Sequence, residues 1–234
     1  MRISGIQKHT LLDYPGHIAC TIFLGHCNLR CPFCHNMDLV KNPEIFPEIS
    51  FDEIFKFLEN RKGKLQGVAI TGGEPLINDD IEKLILPIRD MGFLVKLDTN
   101  GFFPDKLEKI LNEKLVDRVA MDIKAGLSNY LKVCGIIESN DLKWKEKINK
   151  SISLIMNSGI DYEFRTTCVK GLHAINDFLE IKNMIKGAKE YYLQNYNIAP
   201  GLENLPYRPF LKEELEVFKE KLSDSIQNIG IRGI

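Results

Sequence analysis

The chain has 234 residues, 44% of them apolar and 27% charged, the profile of an ordinary globular protein of one domain or a tightly joined pair. With 31 basic and 32 acidic residues the net charge is −1, which argues against nucleic-acid binding by bulk charge. No run approaches the ~18 consecutive apolar residues of a membrane span, and the stretch Met1–His9 lacks the apolar core of a signal peptide; the expectation is a cytoplasmic protein with no membrane partner.

Strand-like and helix-like segments alternate. Ile18–Leu24 reads as a buried strand, and the loop Asn36–Pro47 as a surface excursion. Ser50-Phe-Asp-Glu53 is a capping box opening a helix to about Asn60, with Phe51, Ile54, Phe55 and Leu58 on one face. Gly67–Thr71 is the second strand and Asp79–Met91 a helix that Pro87 should kink or split. Leu94–Asp98, Val116–Ile123, Ile160–Thr167 and Tyr191–Gln194 read as further strands. Pro104–Lys114, Leu142–Asn157 (ended by Gly159), Ala174–Ile185 and Lys212–Gln227 read as helices. Trp144 and the run Lys143–Lys147 read as a solvated helix face without a role.

Six strand–helix units imply a parallel sheet with right-handed crossovers. A doubly wound sheet would gather its site at one switch point, whereas every strand here ends in polar or small residues. That favours an α/β fold of the partial (β/α)6 TIM-like barrel type, a single domain over residues 1–234.

Cys27, Cys31 and Cys34 form a CxxxCxxC triplet directly after the first of these strands. Iron–sulfur clusters are normally held by four cysteines and structural zinc by four Cys or His ligands, so three thiolates leave one position of a cubane open. Zinc with His26 or His35 as fourth ligand is the alternative. Cys20 and Cys168 read as small buried hydrophobes; Cys134 has no second cysteine nearby in the sequence. After the second strand stands Thr71-Gly-Gly-Glu-Pro75, whose glycines let backbone approach a ligand closely and whose Glu74 can bind an ammonium group.

Phe33 before the last cysteine, and GGEP about forty residues later, make this chain resemble the radical S-adenosylmethionine enzymes. Within them, Asp98-Thr-Asn-Gly101 and Met121-Asp-Ile-Lys124 resemble the glycyl-radical-enzyme activating enzymes. Ile6–Pro15, Asp161–Thr167 and Leu193-Gln194 look most like activating proteins of anaerobic ribonucleoside-triphosphate reductase. The resemblance covers roughly residues 3–205.

It implies a [4Fe–4S] cluster on Cys27, Cys31 and Cys34, with S-adenosylmethionine chelating the open iron. Phe33 and His35 would flank the nucleoside, and Gly72, Gly73 and Glu74 would receive the methionine ammonium. Asp98, Asn100, Asp122, Lys124, Arg165 and Gln194 would contact the cofactor. Asp98, Thr99, Asp122 and the carbonyl of Ala120 would form a monovalent-cation site. The chemistry implied is reductive cleavage of the cofactor, driven by a low-potential donor such as ferredoxin or flavodoxin, and removal of a glycine hydrogen from a glycyl radical enzyme. Pyruvate formate-lyase activases carry a sixth-strand histidine that is missing here, so Gln194 or Tyr196 takes its place or the contact is absent; this points toward the reductase branch. No cysteine lies between Cys34 and Gly72, which predicts one cluster. The alternatives are an activase of the pyruvate formate-lyase type, a radical enzyme acting on a small molecule, and a zinc or iron–sulfur binding module.

Overall fold

The computed structural model describes residues 1–136, 143–198, 201 and 203–234. Its eight strands are β1 (Ile3–Thr10), β2 (Ala19–Leu24), β3 (Gly67–Gly72), β4 (Leu94–Thr99), β5 (Arg118–Asp122), β6 (Asp161–Cys168), β7 (Glu190–Asn195) and β8 (Asn228–Arg232). They form one sheet in sequence order, with β1 antiparallel to β2 and every later pair parallel. Among the described residues β1 and β8 are not paired with each other, so the barrel stays open. The helices are α1 (Met37–Lys41), α2 (Phe51–Glu59), α3 (Glu82–Asp90), α4 (Pro104–Asn112), α5 (Tyr130–Val133), α6 (Trp144–Asn157), α7 (Ile175–Met184) and α8 (Lys212–Leu222).

Local rules account for most boundaries. Ser50 Oγ accepts from the Glu53 amide at 3.2 Å while the Glu53 carboxylate accepts from the Ser50 amide at 2.9 Å, closing the predicted capping box. Pro104 opens α4 at its first turn. Gly159 takes φ +77° just past α6, where a side chain would be strained. Leu84, Ile85 and Ile88 of α3 are fully buried, each contributing roughly 1.5–3 kcal/mol by leaving water.

The structure corrects several expectations. α3 starts at Glu82 because Pro75–Ile77 forms a separate 3-10 turn, and it runs unsplit through Pro87; Lys83, whose carbonyl loses its partner there, is exposed. The last helix ends at Leu222, and β8 follows it. A Cβ at Gly230 would fall 2.5 Å from the Tyr192 ring, so the glycine is what lets β8 lie against β7. The Asn36–Pro47 excursion folds back: Val40 and Pro43 are buried, and the Leu39 carbonyl accepts from the His26 amide at 2.9 Å. Trp144 is buried and stacks on Tyr130 at 5.4 Å instead of facing solvent, because α6 turns this side onto the end of α5. Leu142, the predicted start of that helix, lies outside the described residues.

The two-residue period of a strand puts Lys96 with Asp98, Arg118 with Asp122, and Glu163 with Arg165 on one face of the sheet. Register aligns Asp98 with Ala120 and Asp122 with Arg165 across neighbouring strands. One face of the barrel therefore carries a ladder of charges where an aliphatic layer would be usual.

Candidate active site

Every residue named above as a cluster, cofactor or cation contact, apart from the Ala120 carbonyl and Tyr196, lines one cavity of about 230 Å³ at the C-terminal ends of the strands. Its two walls are built differently.

The first wall is the loop after β2. His26 takes φ +66°, and its carbonyl accepts from the Glu74 amide at 2.8 Å; the Gly73 amide donates to the Leu24 carbonyl, also at 2.8 Å. A Cβ at Gly73 would stand 1.8 Å from the His26 oxygen, and one at Gly72 (φ +116°) 2.4 Å from Leu24 backbone. The glycine pair thus exists to let two backbones touch, strapping the β3 end to the cysteine loop. Glu74 is turned inward, its carboxylate accepting from Leu76 N, Thr99 Oγ1 and Asn100 N at 2.6–3.1 Å. Three of its roughly four acceptor positions are filled by the chain. Burial raises its pKa to about 7, against the pull of those donors.

Cys27 Sγ accepts from Leu29 N at 3.4 Å and from Asn100 Nδ2 at 3.7 Å. Burial pushes the Cys27 thiol up to about 12, whereas the Cys134 contact pulls Cys31 down. Metal binding would displace these protons. Among the described residues no three His, Cys, Asp or Glu side chains converge on one point, as a single zinc ion requires. His26 is exposed, and His35 Nε2 is engaged with the Asn197 carbonyl at 2.5 Å. Three sulfurs sharing a wall without converging suit a polynuclear cluster.

The second wall is the charge ladder. Arg165 reaches Asp122 at 2.8 Å and Asp98 at 3.3 Å; Lys124 reaches Asp122 at 2.9 Å; Lys96, 1% exposed, pairs with Asp98. Deeper in, Glu163 accepts from Arg118 at 3.0 Å and from Arg232 at 2.9 Å. Burial alone would raise the acidic pKa values, but Arg165 and Lys124 hold Asp122 far below the carboxylate range, and Arg232 with Arg165 brings Glu163 down to about 2. Lys124 stays charged despite burial because Asp122 lies beside it. The oxygens of Asp98 and Asp122, the acids expected at a cation site, face Lys96, Lys124 and Arg165.

The aromatic groups split between walls. Phe33, 5% exposed, packs edge-on against His173 and Tyr196, each at 6.4 Å between centroids. His35 stacks flat on Tyr196 at 5.7 Å. Gln194 lines the cavity whereas Tyr196 stands behind His35, which separates the two substitutes considered for the absent histidine. His173 was not singled out from sequence. Its Nδ1 accepts from Val169 N at 3.0 Å, so Nε2 carries the proton and donates to the Lys124 carbonyl at 2.8 Å. It anchors Lys124 and Phe33 at once, and no motif in the sequence marks it.

The Radical SAM superfamily model matches residues 21–185. A candidate glycyl-radical enzyme activating enzyme of Methanocaldococcus jannaschii is 31% identical over 99% of this chain and 96% of its own. The pyruvate formate-lyase-activating enzyme of Clostridium pasteurianum is 32% identical over 53% of this chain and 52% of its own. The crystal structure of Streptococcus suis SuiB with its precursor peptide SuiA superposes with TM-score 0.69 at 17% identity, over 91% of this chain and 48% of that one, a likeness of fold alone. SuiB has also been seen with S-adenosylmethionine bound. The chain thus spans about half the length of the solved structure it matches. The chain belongs to the radical SAM superfamily, whose cofactors are a [4Fe–4S] cluster and S-adenosylmethionine, and is a homologue of glycyl-radical enzyme activating enzymes.

Proposed function

We propose that this chain is the activase of a glycyl radical enzyme, and specifically of an anaerobic ribonucleoside-triphosphate reductase. The observation that carries the reading is the single cavity in which three sulfurs face a wall of fixed charges. The archaeal relative's match over nearly its whole length supports an activase of this compact size. Gln194 in place of a histidine, and the stretches Ile6–Pro15 and Asp161–Thr167, support the reductase over pyruvate formate-lyase.

Cys27, Cys31 and Cys34 would hold the cluster, and the Gly72–Gly73 strap would keep their loop against the strand ends. When bound, the reduced cluster and S-adenosylmethionine supply the 5′-deoxyadenosyl radical that removes one glycine hydrogen from the partner. Lys124, charged and anchored through His173, presents an ammonium group to a carboxylate. Arg165 holds Asp98 and Asp122 in place, and Asp122 in turn fixes the Lys124 ammonium at 2.9 Å. Phe33 and Val40, both buried, keep water from the sulfurs. A low-potential donor such as ferredoxin or flavodoxin would supply the electron.

The test is anaerobic incubation of the reconstituted chain with a panel of glycyl radical enzymes, read by EPR for the glycyl doublet. The reading expects the doublet on the ribonucleotide reductase. A doublet on pyruvate formate-lyase alone would overturn the partner; cofactor cleavage that needs a small metabolite and no protein would overturn the activase reading.

A further inference from the structure

The sheet runs from β1 to β8 without closing, yet one side chain joins the loop after β2 to the chain after β7. His35 Nε2 donates to the Asn197 carbonyl at 2.5 Å, and the imidazole lies flat on Tyr196, 3° from parallel with centroids 5.7 Å apart. A carbonyl can only accept, so Nε2 carries the proton. Both ends of this link are fixed independently. On the loop side, the Asn36 side-chain amide donates to the Gly72 carbonyl at 3.0 Å, and Cys34 N donates to the Cys31 carbonyl at 3.1 Å. At the end of β7, Asn195 exchanges two side-chain hydrogen bonds with the Phe210 backbone at 2.9 and 3.0 Å, and Tyr196 N donates to the Cys168 carbonyl at 3.1 Å.

His35 also lines two hollows. On one side is the cofactor cavity; on the other is a groove of about 410 Å³ along β1, with Ser4, Ile6, Phe23, Leu39 and Phe46 among its walls. The imidazole stands between them. Phe33 touches Tyr196 as well, but only edge-on at 6.4 Å; His35 supplies the flat stack and the hydrogen bond. Gln194, on the same strand as Asn195, lines the cavity opposite the cysteine loop. A loop that drifts from β7 therefore widens the space between the sulfurs and Gln194. The ring is exposed, so the link adds a modest factor to an equilibrium and leaves folding itself to the core.

We propose that His35 is a positioning residue: by hydrogen-bonding Asn197 and stacking on Tyr196 it latches the cysteine loop to the end of β7, which fixes the cavity's width and seals it from the groove along β1. This rests on the assignment of the cavity to S-adenosylmethionine. The latch is read by hydrogen exchange and mass spectrometry over residues 31–37 and 192–198, which hold the Cys34 and Tyr196 amides, in the full chain with and without its cluster. Its consequence is read in the anaerobically reconstituted chain as the affinity for S-adenosylmethionine and the saturated rate of 5′-deoxyadenosine formation. His35→Ala removes both contacts, His35→Phe keeps a ring and His35→Gln keeps a donor. Expected in His35→Ala is exchange about fivefold to tenfold faster in both segments and affinity weakened by a similar factor. KM should rise more than kcat falls, and His35→Phe and His35→Gln should lie between His35→Ala and wild type in every reading. Unchanged exchange in His35→Ala would overturn the latch whatever the affinity does, since the imidazole would then act on the cofactor directly. A fall in kcat at unchanged KM would overturn it too, by placing the ring at the reacting atoms. A wild-type chain that binds no S-adenosylmethionine, while His35→Ala still speeds exchange, would instead overturn the cavity's assignment and leave the latch standing.

Discussion

The cavity's two walls are held by different physics. The cysteine wall is fixed by backbone: left-handed His26, the Gly72–Gly73 strap against Leu24 and His26, and Gly135 against Arg30. The strand-end wall is fixed by charge: Asp98, Asp122 and Glu163 among Lys96, Arg118, Lys124, Arg165 and Arg232. One wall should therefore break on added atoms, and the other should tolerate shape changes but respond to neutralisation and acid.

The largest effect should come from the backbone wall. Cys27→Ala, Cys31→Ala or Cys34→Ala should abolish cofactor cleavage, and Gly73→Ala should lower iron content per chain more than tenfold while circular dichroism is retained. Normal iron loading in Gly73→Ala would show that the strap does not position the loop.

On the charged wall, Arg165→Met leaves two half-buried carboxylates each short of one partner and should lose about 1–3 kcal/mol in chemical denaturation. The pair Arg165→Met with Asp122→Asn should recover part of that; no recovery would mean that the loss is one of packing.

Acid should separate the walls further. Asp122 and Glu163 have pKa values below their unfolded ones, so their contribution is present above the ordinary carboxylate range and is lost as pH falls toward about 2. Glu74 has the opposite sign: its pKa rises from 4.5 to about 7, so stability falls as pH climbs between those values. That penalty is on the order of 3 kcal/mol, and Glu74→Gln in the cluster-free protein should flatten the pH profile between 5 and 7. A profile unchanged by the substitution would mean that Glu74 is not the group responsible.

The smallest effect belongs to a site remote from both walls. Ser50→Ala removes the α2 cap and should cost about 1 kcal/mol with iron loading intact; lowered loading would mean that α2 stability reaches the cavity.

Legibility in the sequence follows the same division. The cysteine triplet, GGEP and the polar strand ends were readable because local pattern specifies them, and the structure brings all of them to one cavity. The edge strands β1 and β8 were not, because Gly5 and Gly230 interrupt their alternation and their pairing depends on distant neighbours. Trp144 is buried only because α5 stands under it. Nothing local says that Arg165, across the register from Asp122, turns its guanidinium between two acids. His173 matters through a side-chain contact with the distant Lys124 carbonyl, which no spacing rule encodes.

The most direct measurement of the central claim, that the two walls form one cofactor site, is single-turnover cleavage. The anaerobically reconstituted chain is reduced with dithionite in the presence of S-adenosylmethionine and 5′-deoxyadenosine is quantified. The account predicts 5′-deoxyadenosine from the wild type and at least tenfold less from Lys124→Met with its cluster intact. A fully loaded wild-type cluster that yields no 5′-deoxyadenosine would contradict it.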